Sequence, residues 1–397
     1  MAKESKGGFL NLFLLTLAAS LIYALSQGIT NDYGIMLTAI IENTGLSYAS
    51  VSFVIAVGQM FYGVVQPVFG MLAERKGSLL TLLVGFALML AGLLLIPFCT
   101  AAWQLLLCMG LILPAGTGAV SYGLIMGCIT PKLSPKTVSI VSGIVNASSG
   151  IGGAIIFPAT QYLIDGGGLA AAMFTLAVPT LLFIPLCFYL ASGSGAAGPS
   201  EQTDATGAVA GFKEAFMSRT YRLLMFIFFV CGFHMTLIYS HLPSQFTSYG
   251  IPAETSAYAF SLYGLVTIVG SVLSGWLCSS YRMKNILGSL FASRTVIVIA
   301  FLLLPKTILV AFVFAALLGL TGASTVPPVA GIISLRFGAA RLATLFGLVY
   351  CIHQIGAFFG AWLGGVTYEL FGTYVIIWLA DSVLCALAAG AAFIIRK

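Results

Sequence analysis

The chain has 397 residues, of which 60% are hydrophobic and only 7% charged, against the roughly 25% charged residues of a soluble globular domain. That excludes a water-soluble enzyme, and at about 20 apolar residues per membrane helix and roughly 30 to 35 residues per crossing, the length accommodates about a dozen spans. The net charge of +6 sits on basic residues scattered singly or in pairs between apolar runs, so it excludes a nucleic-acid-binding stripe and reports membrane orientation instead.

Hydropathy, Gly/Pro punctuation and charge predict spans at about 10 to 38, 48 to 72, 79 to 98, 103 to 128, 137 to 163 and 169 to 191, then at about 220 to 246, 255 to 278, 285 to 304, 308 to 332, 342 to 367 and 372 to 395. Lys3 and Lys6 precede an apolar run that continues past residue 25 without a small-residue cleavage site, so the first run is expected to be a retained span and not a signal peptide. Between the two sets, SGSGAAGPSEQTDATGAVAG (192 to 211) has no apolar periodicity and reads as a flexible linker. The expected organisation is an all-α membrane protein: one six-helix bundle over 1–191, a cytoplasmic linker over 192–216 and a second six-helix bundle over 217–397.

Sorting the charges tests this count. Lys3, Lys6, Arg75, Lys76, Lys132, Lys136, Lys213, Arg219, Arg222, Arg282, Lys284, Arg336, Arg341, Arg396 and Lys397, fifteen of the 17 basic residues, fall on one side, and Lys306 alone lies on the other. Both termini are therefore expected to be cytoplasmic, and the chain to be a multi-pass protein of the cytoplasmic (inner) membrane. One missed helix would invert every later loop. An offset of 204 relates Gly118, Gly127, Gly143 and Gly152 to Gly322, Gly331, Gly347 and Gly356, so the halves read as copies of one six-helix unit.

After the second span comes Gly70-Met71-Leu72-Ala73-Glu74-Arg75-Lys76-Gly77, and after the eighth Gly275-Trp276-Leu277-Cys278-Ser279-Ser280-Tyr281-Arg282. The first resembles the signature G-x-L-A-D-R-x-G of the major facilitator superfamily, with Glu74 where the family usually has Asp; the second keeps the Gly, the Leu and a basic residue. Together with twelve spans and a six-plus-six repeat, the resemblance covers the whole chain. It implies a secondary transporter that works by alternating access, with Gly70, Glu74, Arg75, Gly77 and Arg282 at a cytoplasmic gate whose ion pairs break and re-form as the protein rocks. The stretches CGFHMTLIYSHLPSQ, TVPPVAGI and ATLFGLVYCIHQIGAFFGAWLGG look like bacterial members of the monocarboxylate and oxalate/formate branch. That branch binds carboxylate with intramembrane basic residues. Its characteristic arginine in the eighth span falls here at Ser271, a lysine of the oxalate carrier falls at His353, and the often basic position of the first span falls at Asn31 and Asp32.

Ionisable residues inside spans are costly and are functional candidates by default. Arg294, about nine residues into the ninth span, suits a carboxylate or phosphate anchor, or else a structural pair with Asp381 at similar depth in the twelfth. His353 in the eleventh span and His234 in the seventh can donate to an anion or carry a proton, and His241, seven residues after His234 on the same helical face, is a proton-coupling candidate. Asp32, toward the end of the first span, is either a proton-coupling carboxylate or a solvated helix end. Gln27, Tyr122, Asn146, Thr321 and Thr325 can each place a hydrogen bond on a substrate, or bond a helix backbone.

The eight cysteines lie in apolar stretches with no C-x-x-C spacing and no histidine at ligand spacing, and read as small core residues, not as disulfides or a metal site. With no Walker A sequence, no G-x-G-x-x-G after a strand and no H-E-x-x-H, the driving force should be a gradient. The expected partners are a small solute, preferably a carboxylate, with a proton or counter-substrate, and the surrounding lipid; nucleic acid and cofactors are not expected, and the protein reads as a monomer. Proton-coupled efflux of an apolar or cationic compound is the competing reading, favoured by the residue at Ser271.

Overall fold

A computed structural model of the chain describes residues 2–133, 135–192, 215–338 and 342–395. The linker, Lys213, Arg341, Arg396 and Lys397 lie outside them, as do the side chains of Lys3, Lys6 and Lys136. Among the described residues, eleven helical segments are long and apolar enough to cross a membrane, and one of these, Ile140–Ala191, has 52 residues and suffices for two crossings. The helix that begins it runs from Pro135 to Leu182 and turns at Gly168, whose φ of 71° is open to glycine and strained for other residues. Twelve spans result.

The first span is Ala2–Asn31 continued by Tyr33–Thr44, with Asp32 at the joint. The second is Tyr48–Lys76 and the third Ser78–Leu95. The fourth is wound as a π-helix at Leu106–Ile112, runs on through Leu113–Ala119 and restarts as Tyr122–Ile129. The seventh, eighth and ninth are Arg219–Ser248, Ala253–Ser280 and Met283–Leu303. The tenth runs from Ile308 to Thr321, passes through a 3-10 turn at Ala323–Thr325 and restarts as Val326–Phe337; the eleventh and twelfth are Leu342–Phe371 and Val375–Phe393. The fourth and tenth spans thus restart 204 positions apart, at Tyr122 and Val326, so the break itself is part of the repeat. Val326-Pro327-Pro328 explains the tenth-span break, because two consecutive prolines offer no N–H to the preceding turn.

The chain divides into two compact units, residues 1–45 with 61–200 and residues 46–60 with 201–397. In the first, the fifth span lies so close to the first that a Cβ on Gly152 would collide with the Ala24 carbonyl, and one on Gly28 with the Ile156 side chain. In the second unit, Gly356 meets the Phe229 carbonyl and Gly232 the His353 carbonyl. Both pairs repeat at 204, as membrane helices packed through small residues should. Gly118 and Gly322 also pack in matching places, against the second span and the eighth. Gly127, Gly143 and Gly347 meet nothing within 4 Å, so those members of the sequence repeat do not mark helix contacts. Lys306, the exception to the charge rule, donates to the carbonyls of Phe301, Leu302 and Leu304 at the end of the ninth helix, where a cation suits the helix dipole.

Candidate substrate and proton sites

In the second unit, Arg294 is fully buried and reaches toward the break in the tenth span. Its Nη2 donates to the carbonyls of Thr321 at 2.6 Å and Gly322 at 2.8 Å, at the point where the tenth helix passes into the 3-10 turn. Its Nη1 donates to Cys231 Sγ at 3.7 Å, its guanidinium lies 4.7 Å from the Phe291 ring centre, and its Nε has no partner. Cys231 is the hub of the cluster, because its thiol also meets Thr325 Oγ1 at 3.3 Å and faces the His353 ring. The structure therefore brings together Arg294, Thr321, Thr325 and His353 from the ninth, tenth and eleventh spans around a seventh-span cysteine that reads in sequence as packing. His353 is half-buried; its Nδ1 is 2.9 Å from Gln354 Oε1, and its ring stacks on Tyr350. No carboxylate lies within 4 Å of Arg294 among the described residues.

The alternative of an Arg294–Asp381 pair is not what forms. Asp381 Oδ2 accepts from His234 Nδ1 at 2.8 Å, both residues fully buried. Cys385 Sγ lies 3.9 Å from Asp381 and 4.0 Å from His234, so one cysteine does neighbour a histidine, across 151 residues of chain that hide the proximity in sequence. These three groups present their ligand atoms within 4.8 Å of one another, a set able to hold a zinc-like cation through three donors. His234 Nε2 has no partner and the ring packs against Trp378, so His234 sits between the seventh and twelfth spans, apart from the Cys231 hub.

His241, the other histidine of the seventh span, is bonded at both ring nitrogens. Its Nε2 donates to the Ala361 carbonyl at 2.7 Å, which leaves Nδ1 to accept from Tyr48 Oη at 3.3 Å, and Tyr48 Oη in turn contacts Tyr374 Oη. Both ring nitrogens are occupied inside a tyrosine cluster completed by Tyr368. The histidine is thus tied at both nitrogens to the eleventh span and to the tyrosine cluster.

In the first unit, Asp32 is fully buried at the joint of the first span, and neither carboxylate oxygen has a hydrogen-bond partner. The Thr160 hydroxyl of the fifth span faces it without closing a bond. The solvated-helix-end reading of Asp32 is thereby removed. Nearby on the same span, Gln27 Nε2 donates to Tyr62 Oη at 2.7 Å, so its amide is committed to the second span. Tyr122 is half-buried, with its hydroxyl 2.5 Å from Ser142 Oγ and its ring against Tyr23. Asn146 is exposed one turn beyond Ser142, and it lies across the fifth helix from the exposed apolar stripe Ile140, Ile144, Ile151 and Ile155. One face of that helix suits lipid; the other presents Asn146 and Ser142, which Tyr122 of the fourth span meets.

At the signature turn, Glu74 and Arg75 are exposed and no ion pair joins them to any described residue. A Cβ on Gly70 would meet nothing within 4 Å. Gly77 has a backbone requirement of its own, with φ at 93° at the turn into the third helix. Arg282, at the corresponding turn, is exposed and lines a cavity at one end of the second unit.

A family model described as Major Facilitator Superfamily matches residues 9–315. Monocarboxylate transporter 13 of Rattus norvegicus is 24% identical over 372 residues, covering 91% of this chain and 83% of that protein. Monocarboxylate transporter 11 of Mus musculus is 24% identical over 381 residues, with 91% and 82% covered. Among solved structures, a D-xylose-proton symporter superposes with a TM-score of 0.75 at 14% identity, covering 97% of this chain and 98% of that one. The nucleoside transporter NupG, as a D323A mutant, gives 0.79 at 13%, covering 96% and 100%.

Proposed function

Because this chain belongs to the major facilitator superfamily, and so is a multi-pass membrane transporter and not an enzyme, we propose that its solute is a small organic anion of monocarboxylate type, moved by alternating access with a proton or in exchange for a second anion. The carrying observation is Arg294, a buried guanidinium that no carboxylate balances within 4 Å among the described residues. The backbone carbonyls that accept from its Nη2 do not neutralise its charge, so it holds a positive potential at the tenth-span break. Cys231, Thr325 and the half-buried His353 are grouped around that charge and are the groups that would hydrogen-bond an anion. The relatives named for monocarboxylate transport support the same solute class. Tyr122 and Asn146 supply the polar contacts of the first bundle, 1–191, which rocks against the second, 217–397, about the 192–216 linker. Asp32 takes up and releases the coupled proton, since nothing hydrogen-bonds its charged form. The membrane is the cytoplasmic one, with both termini inside and the gate residues Glu74 and Arg75 on that face.

The test is counterflow in proteoliposomes with labelled lactate, competed by a panel of carboxylates, amines and neutral solutes. Carboxylates should compete, and Arg294→Gln should lose about 1.5–3 kcal/mol of binding, about ten- to a hundredfold in affinity. Uptake unchanged in both Arg294→Gln and His353→Gln would remove the site. Competition by amines alone would favour the second reading, proton-coupled efflux of a cation, for which uncompensated Asp32 is the supporting observation.

A further inference from the structure

The seventh and twelfth spans meet at three side chains that the transport reading leaves unused: His234, Asp381 and Cys385, each 0% exposed. Asp381 and Cys385 stand four residues apart on the twelfth helix, Val375–Phe393, and so project from one face of it, while His234 comes from the seventh. The carboxylate is shared between the other two groups. Its Oδ2 lies 2.8 Å from His234 Nδ1 and its Oδ1 3.9 Å from Cys385 Sγ, and 4.0 Å between Sγ and Nδ1 closes the triangle. A nitrogen, an oxygen and a sulfur bound to one zinc ion at bond lengths of roughly 2.0 to 2.3 Å stand about 3.4 to 3.6 Å apart at tetrahedral angles. The three separations bracket that range, so side-chain shifts of about half an ångström seat an ion among them.

The donor types select the class of ion. Calcium and magnesium take oxygen ligands, whereas a thiolate beside an imidazole and a carboxylate suits zinc. Charge agrees with chemistry: thiolate and carboxylate together balance a divalent ion and imidazole is neutral, so the loaded cluster carries no net charge inside a span, where charge is costly. The ion takes the place of the proton between Nδ1 and Oδ2, and the Cys385 thiol gives up its own proton. The ring proton then moves to Nε2, a nitrogen that no hydrogen bond occupies. We propose that His234, Asp381 and Cys385 form a binding site for a zinc-class divalent cation, which clamps the twelfth span to the seventh. Without the ion, the three groups keep the hydrogen-bonded arrangement described above. The site takes no part in the solute path, so it stands or falls independently of the solute class.

The test uses the untagged full-length protein in detergent, stripped of metal with a chelator, dialysed against Co²⁺ or Zn²⁺, and read by absorption spectroscopy, metal content and thermal unfolding. One equivalent of Co²⁺ should give a thiolate-to-cobalt charge-transfer band that Zn²⁺ bleaches, and Zn²⁺ should raise the unfolding temperature by mass action. Cys385→Ser should abolish the band and weaken Zn²⁺ binding at least about tenfold, the least that losing even an outer-shell partner costs. His234→Gln should weaken binding to a similar degree. Cys351→Ser, which removes the exposed cysteine of the eleventh span, should leave band and affinity intact. Absence of a thiolate band in the wild-type protein, its survival in Cys385→Ser, or its loss in Cys351→Ser would each overturn the proposal. If His234→Gln does not fold, Cys385→Ser, which leaves the bond between His234 and Asp381 in place, decides.

Discussion

The two buried carboxylates, Asp32 in the first half and Asp381 in the second, have the same solvent exposure, 0%, and opposite surroundings. Asp381 receives a hydrogen bond from His234 at 2.8 Å, whereas both oxygens of Asp32 lack a partner. A carboxylate that is hydrogen-bonded to a histidine can keep its charge and hold two helices together. One without a donor is costly when ionised. Equal burial therefore does not mean equal surroundings: the partner atom decides whether the charge of a buried intramembrane acid is compensated.

The sharpest way to break this comparison is Asp381→Leu, which strands His234 and should cost about 3 kcal/mol of stability, seen as a lowered unfolding temperature in detergent. Replacing His234 by Leu as well should recover most of the loss, and an Asp381→Leu protein as stable as wild type would show that the pair compensates nothing. Asp32→Asn should do the reverse. Its unfolding temperature should hold or rise, while solute accumulation of about tenfold per pH unit, 1.4 kcal/mol for one coupled proton, should vanish with counterflow retained. Accumulation that survives would move coupling elsewhere. The smallest effect is expected at Tyr62→Phe, which removes the acceptor of Gln27 and should cost about 1 kcal/mol; a double-mutant cycle with Gln27→Ala measures the pair and should show no interaction with Asp32→Asn.

Helix number and the repeat were legible in the chain because each depends on local pattern: apolar runs of membrane length, charges at their ends and glycines at a constant offset. The offset of 204 was more informative than it looked, since the helix restarts at Tyr122 and Val326 obey it as well as the close contacts of Gly152 and Gly356. Gly143 and Gly347 obey the same offset and touch nothing, so the repeat conserves position without conserving contact. Partners across the bundle were not legible. Cys231 has no neighbour in sequence that suggests a role, and its contacts, Arg294 and Thr325, are 63 and 94 residues away. His241 and His234 look alike on one helical face, yet one has both nitrogens bonded and the other keeps Nε2 free.

Composition, periodicity and charge were sufficient to place this chain in the membrane, count its spans and pick out Arg294, Asp32, Asp381 and the histidines, because the bilayer penalises each polar group residue by residue. Which of those groups is compensated, and by what, emerged from packing alone. Arg294 is held by backbone carbonyls at a helix break, Asp381 is held by His234, and the oxygens of Asp32 have no hydrogen-bond partner. Those outcomes depend on distances of 2.6 to 2.8 Å between atoms on different helices, and hydropathy carries no information about which faces of two helices meet.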